Sequence, residues 1–149
     1  AVHAAVALGR AHTIQSCYNL LNPSAGMAAP AGFPFQDYRQ LIDQAAAQGM
    51  GVIAIRVLAA GALSGTTQRH PNAAQSVAPI ASGSDLAEDA QHAHAFQALV
   101  DRGEAPSLVE LAIRFGRPPH PFCHQQPGIF DQVGRHPQSG TTGKSDHRR

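Results

Sequence analysis

Charge is scarce in this chain. Charged residues make up 14% of its 149 positions, and the formal net charge is +1. A typical soluble domain carries about a quarter. That balance gives no reason to expect nucleic acid or an anionic membrane as a partner. Cysteine is scarce too. Cys17 and Cys123 do not make a disulfide framework, and such sparing use fits a reducing compartment, so a cytoplasmic location is expected. No apolar run approaches the roughly 18 residues that a membrane span needs. Val2 to Leu8 lacks the basic flank of a signal peptide. An initiating methionine is also missing. Ala1 to Gly9 reads as the end of a helix already under way, with Gly9 as its stop, so the chain is expected to open partway through a longer protein.

Hydrophobic residues are present at 43%, and the length suffices for one ordinary domain with a core. Thr13 to Tyr18 reads as a short strand. Asn22-Pro23-Ser24 then starts a long loop through Pro30, Gly32 and Pro34. Gln36 to Gln48 is a predicted helix, because Tyr38, Leu41, Ile42, Ala45 and Ala46 share one face at helical spacing. Asp37 would sit at its positive amino end, and Gly49 would stop it. Gly51 to Gly65, GVIAIRVLAAGALSG, is a β-branched run that breaks into small residues and glycines. It reads as a buried parallel strand ending in a loop able to approach a ligand closely. Strand, helix and strand form a crossover unit, and ligands bind at the carboxyl ends of strands in such folds.

Thr66 to Asp85 reads as a second long loop. Ser84 or Asp85 would cap a helix from Leu86 to Val100, whose apolar face holds Leu86, Ala90, Ala93 and Phe96. Ser107 to Glu110 has capping-box spacing and opens a short helix to about Phe115. Beyond that the aliphatics vanish. From Gly116 to Arg149 only Ile129 and Val133 remain, among five prolines and four histidines. Five Lys/Arg face two Asp/Glu there, whereas residues 1–115 carry six against eight. So little apolar surface cannot offset the entropy of ordering, and residues 117–149 are expected to form an irregular or disordered tail. Gly140 to Ser145, GTTGKS, looks like a phosphate-binding loop but has Gln138 where the motif needs glycine, and lacks room for the helix that should follow. His120, Cys123, His124 and His136 match no standard zinc spacing, so no metal site is expected.

With the crossover unit in place, the chain resembles the aldo-keto reductases. Gln15-Ser16-Cys17-Tyr18-Asn19-Leu20-Leu21-Asn22 resembles the sixth barrel strand of that family, often written QxxYNLLN. Gly51 to Gly65 resembles the seventh strand and its loop, often GVIAYSPLAGGLLTG. Ser107 to Phe115 resembles the helix before the eighth strand. The resemblance covers about residues 1–116. It implies an α/β fold, part of a (β/α)8 TIM barrel with strands 6 and 7 and their flanking helices. A complete barrel takes about 250 residues.

The resemblance also implies an activity, hydride transfer between a nicotinamide cofactor and a small carbonyl or alcohol substrate, with NADP(H) favoured over NAD(H). The family's catalytic Asp, Tyr, Lys and His lie on earlier strands. No catalytic residue is therefore assigned, and the isolated chain is expected to be inactive. Gln15 matches the glutamine that binds the nicotinamide carboxamide, and an amide that donates and accepts at once suits that group. Ile55 stands where an aromatic residue commonly stacks on the ring. Arg56 stands at a serine position, where its guanidinium could stack or pair with a phosphate. Leu58 and Gly61 match the loop beneath the cofactor pyrophosphate, and Ala60 replaces a loop glycine. The alternative is a non-catalytic regulatory or redox-sensing protein of the same barrel fold. An unrelated α/β binding module is a third reading.

Overall fold

The computed structural model describes residues 1–66, 68, 71, 72, 74 and 86–117. The expected loop from Thr66 to Asp85, its cap at Ser84 or Asp85, and the tail with its GTTGKS and Cys/His segments lie almost wholly outside the described residues.

Among those residues the chain is a small α/β unit. Helix α1 (Val2–Ala7) leads to strand β1 (Thr13–Cys17), helix α2 (Leu41–Ala47) and strand β2 (Gly51–Ile55). A 3-10 segment (Ala59–Ser64) follows, and then helices α3 (Leu86–His94), α4 (Gln97–Asp101) and α5 (Leu108–Gly116). β1 and β2 pair in parallel, Thr13 with Gly51 through Cys17 with Ile55. Gly9 and Gly49 take positive φ, +62° and +67°, as expected of the residues that end α1 and α2. Ser107 caps α5, its hydroxyl accepting from the Glu110 N–H at 3.2 Å. The return half of a capping box is absent, because the Glu110 carboxylate instead accepts from Arg114 at 2.8 Å.

Two apolar clusters result. Val6, Leu41, Ala45 and Met50 are buried together, with Ile14 and Val52 packed against them. Strand neighbours alternate between faces, so α1 and α2 cover the face bearing Ile14 and Val52. The larger cluster sits at the carboxyl ends of the strands. Tyr18, Leu20 and Leu21 meet Ala59, Ala62 and Leu63 there, along with Phe96, Leu99, Leu108, Leu111, Ala112 and Phe115.

Three expectations are corrected. The strand from Gly51 is not fully buried: Ile53 is 50% exposed, and Thr13, Gln15 and Gly51 are exposed beside it. Among the described residues that second face is open at Thr13, Gln15, Gly51 and Ile53, and closes at its carboxyl end, where Cys17 is buried. The helix predicted from Gln36 begins only at Leu41, because Arg39 and Gln40 are left-handed, with φ of 47° and 52°. Asp37 therefore caps no helix, and its carboxylate accepts from the Arg39 N–H at 2.7 Å in a turn. The helix predicted from Leu86 to Val100 is two helices, broken at Ala95 and Phe96, with Phe96 buried at the break.

Candidate functional site

The carboxyl edge of the sheet is where the strands release their chains into loops, and the four residues singled out by the sequence lie at or near it. Gln15 is exposed on β1, in register with Ile53. Its amide lies on the uncovered face. Arg56 is the first residue after β2 and is half-buried. Counting from the Gln15–Ile53 pair at about 3.3 Å per residue, Arg56 lies roughly 10 Å further along the strand direction. Leu58 packs against the larger cluster. Gly61 has φ of +106°, and a side chain there would meet nothing within 4 Å. The register thus brings Arg56, Leu58 and Gly61 into one turn, with Gln15 on the neighbouring strand.

That turn is left-handed to an unusual degree. Arg56, Ala59 and Ala60 have φ of 59°, 47° and 57°. Residues with a Cβ visit this region rarely, and such positions persist only where the surroundings hold them. Ala60 stands where the family resemblance expects glycine, and its backbone takes a glycine-like conformation. β2 ends at Ile55 because the next residue leaves extended geometry.

The groups holding this edge were not singled out from the sequence. Asn19 donates from Nδ2 to the Arg56 carbonyl at 3.0 Å, tying the two strand exits together. Its Oδ1 accepts from the N–H groups of Leu21 and Asn22, at 3.0 and 2.9 Å. Asn22 donates to the Gln36 carbonyl at 2.9 Å, and its Oδ1 accepts from the Ser24 hydroxyl at 2.7 Å. The Ser24 hydroxyl in turn accepts from the Tyr38 N–H at 3.0 Å. Asn19, Asn22 and Ser24 are all buried. Their signal in the sequence was available: amides and a hydroxyl embedded in YNLLNPS, an otherwise apolar run, must be satisfied internally if buried.

Comparison with known proteins brings no identification. No family model, no curated protein and no solved structure matches the chain. Among the described residues, no helix is long and apolar enough to cross a membrane. No group of three or more His, Cys, Asp or Glu among them could hold a metal ion.

Two aromatic contacts complete the edge. Tyr18 stacks on Phe115, with centroids 4.8 Å apart and planes 26° from parallel. Gly26 lies against the same tyrosine, since a Cβ there would stand 3.0 Å from the ring. Tyr38 meets the buried Cys17 thiol. Burial, then the hydrogen bond to Cys17 and the charge of its thiolate, push the Tyr38 phenol from 10.0 up to about 12. The raised value belongs to the folded state, so its contribution is intact below pH 10 and is lost as pH rises towards 12. Tyr38→Phe is expected to flatten the alkaline loss of stability across that window, read as the denaturation midpoint against pH. Parallel curves for wild type and variant would contradict it.

Proposed function

We propose that this chain is a carboxyl-side part of an NAD(P)-dependent aldo-keto reductase barrel, with β1 and β2 as neighbouring barrel strands. One observation carries the reading. The two motif-bearing strands pair in parallel and in register, so that Gln15 and the left-handed turn from Arg56 to Gly61 belong to one sheet end. Ligands of parallel α/β folds sit at that end.

The residues present fit a nicotinamide dinucleotide. The exposed Gln15 amide can donate and accept, as a carboxamide requires. The open space beside Gly61 lets another molecule approach the backbone. Arg56 supplies a fixed positive charge for a phosphate. When bound, such a cofactor supplies hydride transfer to or from a carbonyl carbon. The chain's own residues bind and orient: Gln15 holds the carboxamide, Arg56 holds a phosphate, and Leu58 and Gly61 line the turn. NADP(H) is proposed over NAD(H). The proton-transfer groups lie outside this chain in this reading.

Titration with NADPH, followed by its fluorescence, tests the proposal. Arg56→Ala is expected to weaken binding about tenfold or more, the scale of a lost charge-assisted hydrogen bond. Gln15→Ala removes neutral bonds and is expected to cost roughly two- to tenfold. Unchanged affinity in both variants would overturn the cofactor assignment. Turnover of a simple aldehyde by the purified chain would overturn the placement of catalysis elsewhere.

A further inference from the structure

We infer that Asn19 is the positioning residue that holds Arg56 left-handed, and so fixes where its guanidinium is presented. Asn19 is 3% exposed, and both ends of its amide are committed. Oδ1 faces two N–H groups, of Leu21 and Asn22, while Nδ2 faces a carbonyl, of Arg56. The reverse orientation would set NH₂ against two donors, so the hydrogen bonds fix the amide. The Asn19 N–H also donates to the Asn22 carbonyl at 3.3 Å, closing the turn around itself. Asn19 is therefore rigidly part of the first strand's exit and reaches across to the second.

At the far side the Arg56 carbonyl accepts twice, from Asn19 Nδ2 at 3.0 Å and from the Ala59 N–H at 2.8 Å. A carbonyl pinned by two donors has little freedom to turn. The φ of 59° at Arg56 ends the strand's in-and-out alternation, so the side chain no longer leaves where an extended residue would place it. Relaxed to extended geometry, Arg56 would continue β2 and redirect its charge. The amide of Asn19 is the one side-chain donor described on that carbonyl. The functional consequence rests on the reading that Arg56 meets a cofactor phosphate, while the clamp itself does not.

Asn19→Asp separates the two halves of the amide. The carboxylate keeps an acceptor for Leu21 and Asn22 and loses the donor to Arg56. NADPH affinity is expected to fall about tenfold or more, as far as in Arg56→Ala. Adding Arg56→Ala to the first variant should then change little, because both remove the same contribution. Independent, additive losses would overturn the inference, as would unchanged affinity in Asn19→Asp. A second measurement needs no ligand. Glycine takes positive φ without strain, so only the wild-type backbone gains relief when the clamp is lost, and Asn19→Asp should lower the urea midpoint more in an Arg56→Gly background than in wild type. Equal losses in the two backgrounds would overturn the clamp. If the wild-type chain does not bind NADPH, the cofactor reading fails and the midpoint cycle alone decides the clamp. Should Asn19→Asp not fold, Asn19→Ala, which removes the donor together with the acceptor, is measured in the same two backgrounds.

Discussion

Phe115→Ala is expected to destabilise the chain by about 3–5 kcal/mol, the range for truncating a buried phenylalanine. Phe115 is 5% exposed and forms the last buried position on α5. Its ring stacks on Tyr18, which follows directly from β1. One truncation therefore opens a cavity and removes the contact by which α5 holds the end of the sheet. Domains are stable by only about 5–15 kcal/mol, and this one leaves a sheet face uncovered at Ile53, 50% exposed. The variant should be largely unfolded, or close to it, in equilibrium denaturation. Ile113→Ala on the same helix is the control. Ile113 is 44% exposed, so the loss there should stay below about 1 kcal/mol. Comparable losses at the two positions would mean that α5 does not support the edge as described.

The strands, the stop at Gly49 and the cap at Ser107 were legible because each has a local cause. A β-branched run, a glycine past a helix end and a hydroxyl before an apolar face act over a few residues. The failures have distant causes. Gln36 to Gln40 carries helical spacing, but the Gln36 carbonyl accepts from Asn22, and the Tyr38 N–H donates to Ser24, 14 residues earlier. Tertiary hydrogen bonds there override periodicity. The break before α4 leaves no mark on the apolar pattern. Apolar spacing runs straight through Phe96, and the break lies in the backbone while the side chain stays buried.

The candidate site divides the same way. Gln15, Arg56, Leu58 and Gly61 follow from the resemblance, and the fold sets Arg56, Leu58 and Gly61 in one turn beside the strand that carries Gln15. Asn19, Asn22 and Ser24 make the bonds that shape the edge. An asparagine in a loop reads as an ordinary turn residue until its burial is known. The candidate cofactor positions thus come from resemblance alone, whereas the positioning role of the amides follows from their burial and contacts.

Asn22→Leu puts that distinction to its hardest test. Leucine is similar in size and more apolar, so packing alone would predict a neutral or favourable change. Asn22 is 0% exposed, and its hydrogen bonds reach Gln36 and Ser24. Leucine offers no acceptor to the Ser24 N–H, whereas the Gln36 carbonyl keeps the Ser24 hydroxyl, 3.2 Å away, as a donor. Leaving that buried N–H unpaired costs about 1–3 kcal/mol. The damage should spread along the chain in a defined direction. Ser24 and Ala25 accept from the N–H groups of Gln40 and Ile42, at 2.9 and 2.8 Å, and so tie the loop to the start of α2. Amide exchange at Gln40 and Ile42 should accelerate by more than that at Leu111 in α5. A variant as stable as wild type, with exchange at those two amides unchanged, would show that packing rather than hydrogen bonding determines the loop. The expected loss would make Asn22 the residue by which the first strand's exit dictates where the next helix begins.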